Sequence, residues 1–190
     1  MRLPPTPSQT VGPFFAYSLL VEDRSEIVPP DHPRAIRIVG TVYDGAGETV
    51  PDAMIEVWQA HPSGRYAHPE DYREDLPLEE GFEGFGRTGS DPDGTFSFVT
   101  VKPGPVPGPD GTSTQAPHVA VSVFARGLLK RLVTRIYFPD EERANAEDPV
   151  LLSIEDPRLR GTLVARDEGD GTFRFDIRLQ GEGQTAFFDV

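Results

Sequence analysis

Apolar and polar residues alternate along several short stretches of the chain. In "IRIVGTVY" (36–43) Ile36, Ile38 and Val42 fall in step, "AMIEVWQA" (53–60) follows, and "TFSFVTV" (95–101) alternates cleanly. A period of two places such residues on one face of a β-strand. "APHVAVSVFARG" (116–127), "LLKRLVTRIYF" (128–138), "GTFRFDIRLQG" (171–181) and "QTAFFDV" (184–190) read as further strands. Turn chemistry separates them, with "DGAG" at 44–47 and Asp93-Gly94 as the clearest cases. Two long connections interrupt the pattern. The segment His61–Gly89, rich in Pro, Gly and charge, predicts a long surface loop, and a proline and glycine loop follows Val101. Only residues 139–165 have room for helical turns, and Pro149 and Pro157 keep them short.

Strands without α/β alternation predict an all-β fold, an immunoglobulin-like β-sandwich of roughly seven to nine strands. Long loops and short helical turns near residues 140–160 complete it. The division is an extended N-terminal arm over residues 1–34, where "LPPTPSQTVGPFF" and "VPPDHPRA" concentrate proline, and one sandwich domain over residues 35–190. Phe14 and Phe15 on such an arm need a surface to bury against, in this domain or in another subunit.

Composition narrows the partners. The formal charge of −13, from 31 acidic and 18 basic residues, repels phosphate backbones and anionic lipid. Neither nucleic acid nor membrane is therefore expected as a partner. An anionic small substrate would need a local cationic pocket. The absence of cysteine excludes disulfides, thiolate nucleophiles and Cys-based metal sites. No apolar run is long enough to span a bilayer, and "MRLPPTPSQT" lacks the apolar core of a signal peptide, so a cytoplasmic location is expected.

Candidate chemistry is sparse. No G-x-S-x-G, phosphate-cradling glycine loop or H-E-x-x-H is present. Of the four histidines, His32 sits in the proline-rich arm and reads as solvated. His61 and His68 share a loop that nothing rigid fixes. His118 lies on a strand beside Pro117, where a hydrogen-bonded core residue is the commoner role. A metal-binding strand would carry a second histidine two residues on, and that position is Ala120.

Taken together, "TPSQTVGPFF" (6–15), "DAMIEVWQAHPSGRYAH" (52–68), "GFGRTGSDPDGTFSFVTVKPGPVPG" (84–108), "APHVAVSVFARGLLKRLVTRIYFPDE" (116–141) and the tail "FRFDIRLQGEGQTAFFDV" (173–190) resemble the intradiol ring-cleaving dioxygenases. The likeness is greatest to the non-catalytic α subunits of members that cleave protocatechuate. It implies a non-haem Fe(III) held by two tyrosines and two histidines. The matching positions here are Tyr66, Val106, His118 and Ala120, and Gln115 stands where catalytic subunits carry an arginine. Valine and alanine supply no lone pair, so the metal site of this chain is expected to be vestigial, with no catalytic residue in this chain alone. The resemblance further implies a hetero-oligomer with a catalytic β subunit that holds the Fe(III). Thr10, Gly12, Pro13, Phe14 and Arg126 would line that subunit's pocket for a catechol carboxylate and O2. The alternatives are a self-sufficient dioxygenase using Tyr66, His118 and other donors, or a β-sandwich binding module without enzymatic activity.

Overall fold

In the computed structural model Gly12 and residues 14–189 are described. Thr10 and Pro13, expected above to line a partner's pocket, lie outside the described residues. The elements are α1 (Phe15–Leu19), β1 (Ala35–Tyr43), β2 (Met54–Gln59), β3 (Phe85–Gly89), β4 (Thr95–Val101), β5 (Val106–Pro107), β6 (Thr114–Gln115), β7 (His118–Phe124), β8 (Leu132–Tyr137), α2 (Glu142–Glu147), α3 (Pro149–Leu152), α4 (Pro157–Gly161), β9 (Arg166–Gly169), β10 (Thr172–Arg174) and β11 (Ile177–Arg178). Among the described residues no helix is long and apolar enough to cross a membrane.

Two sheets form the sandwich. In one, β1 pairs antiparallel with β4 along one edge and parallel with β10 and β11 along the other, and β9 extends from β10. The second runs β3-β2-β7-β8, antiparallel throughout. Alternation fills the space between them: Ile38, Val42, Phe96, Phe98 and Ile177 from the first sheet meet Ile55, Val57, Val119, Val121, Val123 and Ile136 from the second. Gly40 interrupts this inner row of β1, because a Cβ there would stand 2.0 Å from the Phe175 carbonyl oxygen. Buried Gln59 pins the sheets together: its amide donates to the Val101 carbonyl at 2.8 Å, and its oxygen accepts from Thr100 Oγ1 at 2.8 Å.

Pro149 and Pro157 open α3 and α4 at their first turns, where proline's missing N–H is harmless and its fixed φ suits a helix. Asp148 and Asp156 cap the two N-termini.

The structure departs from the sequence pattern in four places. The loop after His61 ends in a strand, β3, whose "FGRTG" shows no apolar period and whose register comes from β2. β9 is exposed along its length, so no buried face marked it. "QTAFFDV" forms no strand; Phe188 makes one bridge to Val133, while Phe187 and Phe188 pack against two core clusters. The arm is not wholly extended, since α1 lies within it. Downstream of α1, Arg24 bridges to Arg87 of β3 and Glu26 to Val99 of β4, so the arm laces the edges of both sheets.

Candidate functional site

The four positions matched to iron ligands converge at one end of the second sheet. Tyr66 is carried by the loop after β2. That loop is held by backbone packing: Gly64 has φ +83°, and a Cβ on it would stand 2.2 Å from the Pro105 carbonyl oxygen. The neighbouring Gly104 donates its N–H to the His61 carbonyl at 3.1 Å. This contact seats Tyr66 and Val106 on adjoining loops. A second brace comes from Asp71, which accepts from the Tyr66 N–H at 2.8 Å and from Arg73 Nε at 2.8 Å, while Arg73 Nη2 donates to the Gly64 carbonyl at 2.8 Å. The Arg73 guanidinium holds the Asp71 carboxyl well below the usual carboxylate range.

His118 begins β7 and is buried. Its Nδ1 lies 2.8 Å from the Ala116 carbonyl, so Nδ1 carries the proton and Nε2 the lone pair. Burial lowers its pKa to about 4, helped by the charge of Arg135 and opposed by the Ala116 carbonyl and Asp148. Burial raises the Tyr66 phenol, against the charges of Arg135 and Arg73. At neutral pH both groups are uncharged. Trp58, directly across from Ala120 in the sheet, stacks on Tyr66 with centroids 6.1 Å apart and planes 4° from parallel. A cleft of about 680 Å³ opens beside them, lined by Trp58, Tyr66, His68, Asp71, Arg73 and Pro107 among others.

These residues do not fit an iron centre. Val106 and Ala120 offer no donor atom, which leaves one phenol and one imidazole. Among the described residues no three His, Cys, Asp or Glu side chains are grouped to hold a metal ion. His61 and His68 supply nothing further: buried His61 lies 2.9 Å from Ser63 Oγ and packs edge-on against Phe82, while His68 sets its edge against Trp58. His32, read above as solvated, instead lies 3.2 Å from Glu79 in a half-buried contact.

The residues expected to serve a partner sit elsewhere. Arg126 follows the far end of β7, exposed and ion-paired with Asp52. Six residue steps of extended strand lead from His118 to Phe124, a span of roughly 20 Å, and Arg126 lies two residues further on. The arm emerges at that same end: the Leu19 carbonyl accepts from Arg87 Nη1 at 3.3 Å, and Leu20 packs against Gly89, the register partner of Met54, which itself pairs with Phe124. Phe14 is 73% exposed and Tyr17 79%, whereas Phe15 is 6% exposed. Gly12 is half-buried with φ +73°. Tyr66 and His118 on one side, and the arm–Arg126 surface on the other, are thus at opposite ends of one sheet.

Sequence reasoning missed Arg135. In "LVTRIY" it shares the face of Val133 and Tyr137, and a lone cation on an otherwise apolar strand face was the available signal.

A β-sandwich with this loop set defines the class, and the chain belongs to the intradiol dioxygenase family, whose members depend on non-haem Fe(III). The dioxygenase family matches residues 13–181. The chain is 45% identical to the protocatechuate 3,4-dioxygenase alpha chain of Pseudomonas putida, over 98% of this chain and 97% of that one. It is also 36% identical to the protocatechuate 3,4-dioxygenase beta chain of Burkholderia cepacia, over 82% of this chain and 63% of that one. Among solved structures, the dioxygenase domain of a carbohydrate-binding fusion from Streptomyces sp. SirexAA-E superimposes with TM-score 0.59 at 27% identity, covering 94% of this chain and 99% of that one.

Proposed function

We propose that this chain is the non-catalytic partner in a two-chain protocatechuate 3,4-dioxygenase, the activity named for its Pseudomonas putida relative. The reaction inserts both atoms of O2 and opens the ring between the two hydroxyls, giving 3-carboxy-cis,cis-muconate. In this reading the Fe(III) resides in a β-type chain, and the two chains assemble as a hetero-oligomer. The observation that carries the reading is the separation of functions along the second sheet. The position of the metal retains only Tyr66 and His118 as donors, while an exposed arginine and an exposed aromatic arm lie roughly 20 Å away.

At that distance Arg126 and Phe14 cannot act on this chain's own Tyr66 and His118. They can complete a pocket on a neighbour. A guanidinium matches a carboxylate in a planar, two-bonded geometry, and a substrate carboxylate would compete with Asp52 for Arg126. Gly12 and Phe14, together with Thr10 and Pro13, would add the arm's side of the pocket.

Co-expression with a β-type chain, followed by iron quantitation and oxygen uptake on protocatechuate, tests the proposal. Turnover is expected only from the assembly. Stoichiometric iron, with phenolate-to-iron charge-transfer colour, in the present chain purified alone would overturn it. Within the active assembly, Arg126→Ala is expected to raise KM for protocatechuate roughly tenfold with iron content unchanged. Loss of iron instead would remove Arg126 from the substrate pocket.

A further inference from the structure

We propose that Arg135 is the resident cation of the vestigial centre: its guanidinium supplies the positive charge there, braces the surrounding groups and keeps metal out. The inference rests on reading Tyr66, Val106, His118 and Ala120 as former ligand positions. Two independent observations place Arg135 among them.

The first is register. Arg135 is directly opposite Ala120 in the β7–β8 pair, just as Tyr137 is opposite His118. Directly opposed residues share a face with their Cβ atoms about 5 Å apart. A methyl at position 120 leaves the room that a long side chain on β8 needs. The second is bonding. Arg135 Nη1 donates to Gln115 Oε1 at 2.6 Å and lies 3.3 Å from the Tyr137 hydroxyl. Gln115 is the register partner of Val106, and the Tyr137 ring lies 5.5 Å from that of His118. One side chain therefore faces Ala120 directly and bonds the residues that neighbour Val106 and His118.

Among the described residues this guanidinium has no carboxylate ion-pair partner; its bonds go to neutral oxygens, and its face lies over the Phe188 ring at 5.7 Å. The nearby carboxylate, Asp148, accepts from the N–H groups of Ala116, Val150 and Leu151 and reaches Arg135 only through the Tyr137 hydroxyl, 3.3 Å from each. Among the described residues the charge thus has no direct counter-ion in a half-buried setting. Arginine, unlike lysine, cannot shed its proton to admit a metal ion. Restoring two donors while this cation stays would set like charges together.

The test combines metal binding with a local charge measurement on the full chain. Val106→Tyr with Ala120→His is expected to bind iron only at a few per cent of stoichiometry or less. Adding Arg135→Gln to those two is expected to raise bound iron roughly tenfold and to bring phenolate-to-iron absorption in the visible. Equal iron in the two variants, or a folded triple variant that stays metal-free, overturns the role of Arg135. Iron in the unsubstituted chain would instead overturn the reading of the site as vestigial. A second measurement needs only one substitution. Trp58 is the chain's single tryptophan and stacks on Tyr66, so its fluorescence senses this charge. Arg135→Gln is expected to cut quenching by iodide roughly twofold while quenching by neutral acrylamide is unchanged. Unaltered iodide quenching refutes the resident cation.

Discussion

At the scale of single residues, His118 shows how burial sets the charge state of an imidazole. It is buried, donates through Nδ1 to the Ala116 carbonyl, and is neutral at ordinary pH. Its folded pKa, about 4, lies below the ordinary imidazole value of 6.5, so the unfolded chain binds more protons between those two values. Stability is therefore fullest above pH 6.5 and falls as the pH drops toward 4, by on the order of 3 kcal/mol in all. His118→Gln is expected to flatten this limb, which denaturant titrations at pH 7 and pH 4.5 would reveal; an unchanged limb would assign the acid sensitivity to other groups. The letter two residues on carried the functional message in the sequence. Ala120 stands where a donor was expected; the lone cation in "LVTRIY" was visible too, but only strand pairing sets it opposite Ala120.

At the scale of elements, the region after β8 is held by a carboxylate rather than by helix propensity. α2, α3 and α4 have six, four and five residues, too short to persist on their own. Asp148 joins them to the sandwich. Its Oδ1 caps α3 through Val150 and Leu151, its Oδ2 accepts from the Ala116 N–H beside His118, and the Tyr137 hydroxyl lies 3.3 Å away. Asp148→Ala strips the cap and leaves a buried N–H unpaired, at a cost of about 2–4 kcal/mol. A fall in Tm matching that loss is expected from thermal unfolding, and a change within ±0.5 kcal/mol would contradict it. The prolines at 149 and 157 made these short helices legible in advance. The third role of Asp148, fastening the start of β7, was not, because Ala116 and Asp148 are brought together only by the fold.

At the scale of the whole molecule, the two phenylalanines at the arm's end divide their roles. Phe15 is buried in its own chain, whereas Phe14 and Tyr17 stand out beside one another with ring centroids 6.4 Å apart. Exposed aromatics of this size are an interface signature more often than a monomer's surface. Phe15→Ala is expected to destabilise the chain by about 3 kcal/mol. Phe14→Ala is expected to leave Tm unchanged and to weaken association with the β-type chain, as read by size-exclusion chromatography of the mixture. Normal assembly by the Phe14→Ala chain would remove that residue from the interface. The same end carries Arg126, at the opposite end of the second sheet from Tyr66 and His118.

The sequence by itself determined the sandwich and the loss of half the donor set. Period-two runs specify strands locally, and a valine or alanine has no lone pair in any fold. It also set the acidic surface, against which a carboxylated substrate needs an arginine. Only the tertiary structure decided which residues meet. "FGRTG" became a strand because β2 offered it a register, and its two glycines had hidden any period. Arg135 came to face Ala120 because strand pairing places it there, and the connection between Phe124 and Leu132 is too long for its own turn geometry to dictate that pairing. Strand propensity is local and can be read along the chain; register is a contact between distant segments, and the charge now standing at the old metal position is a consequence of register.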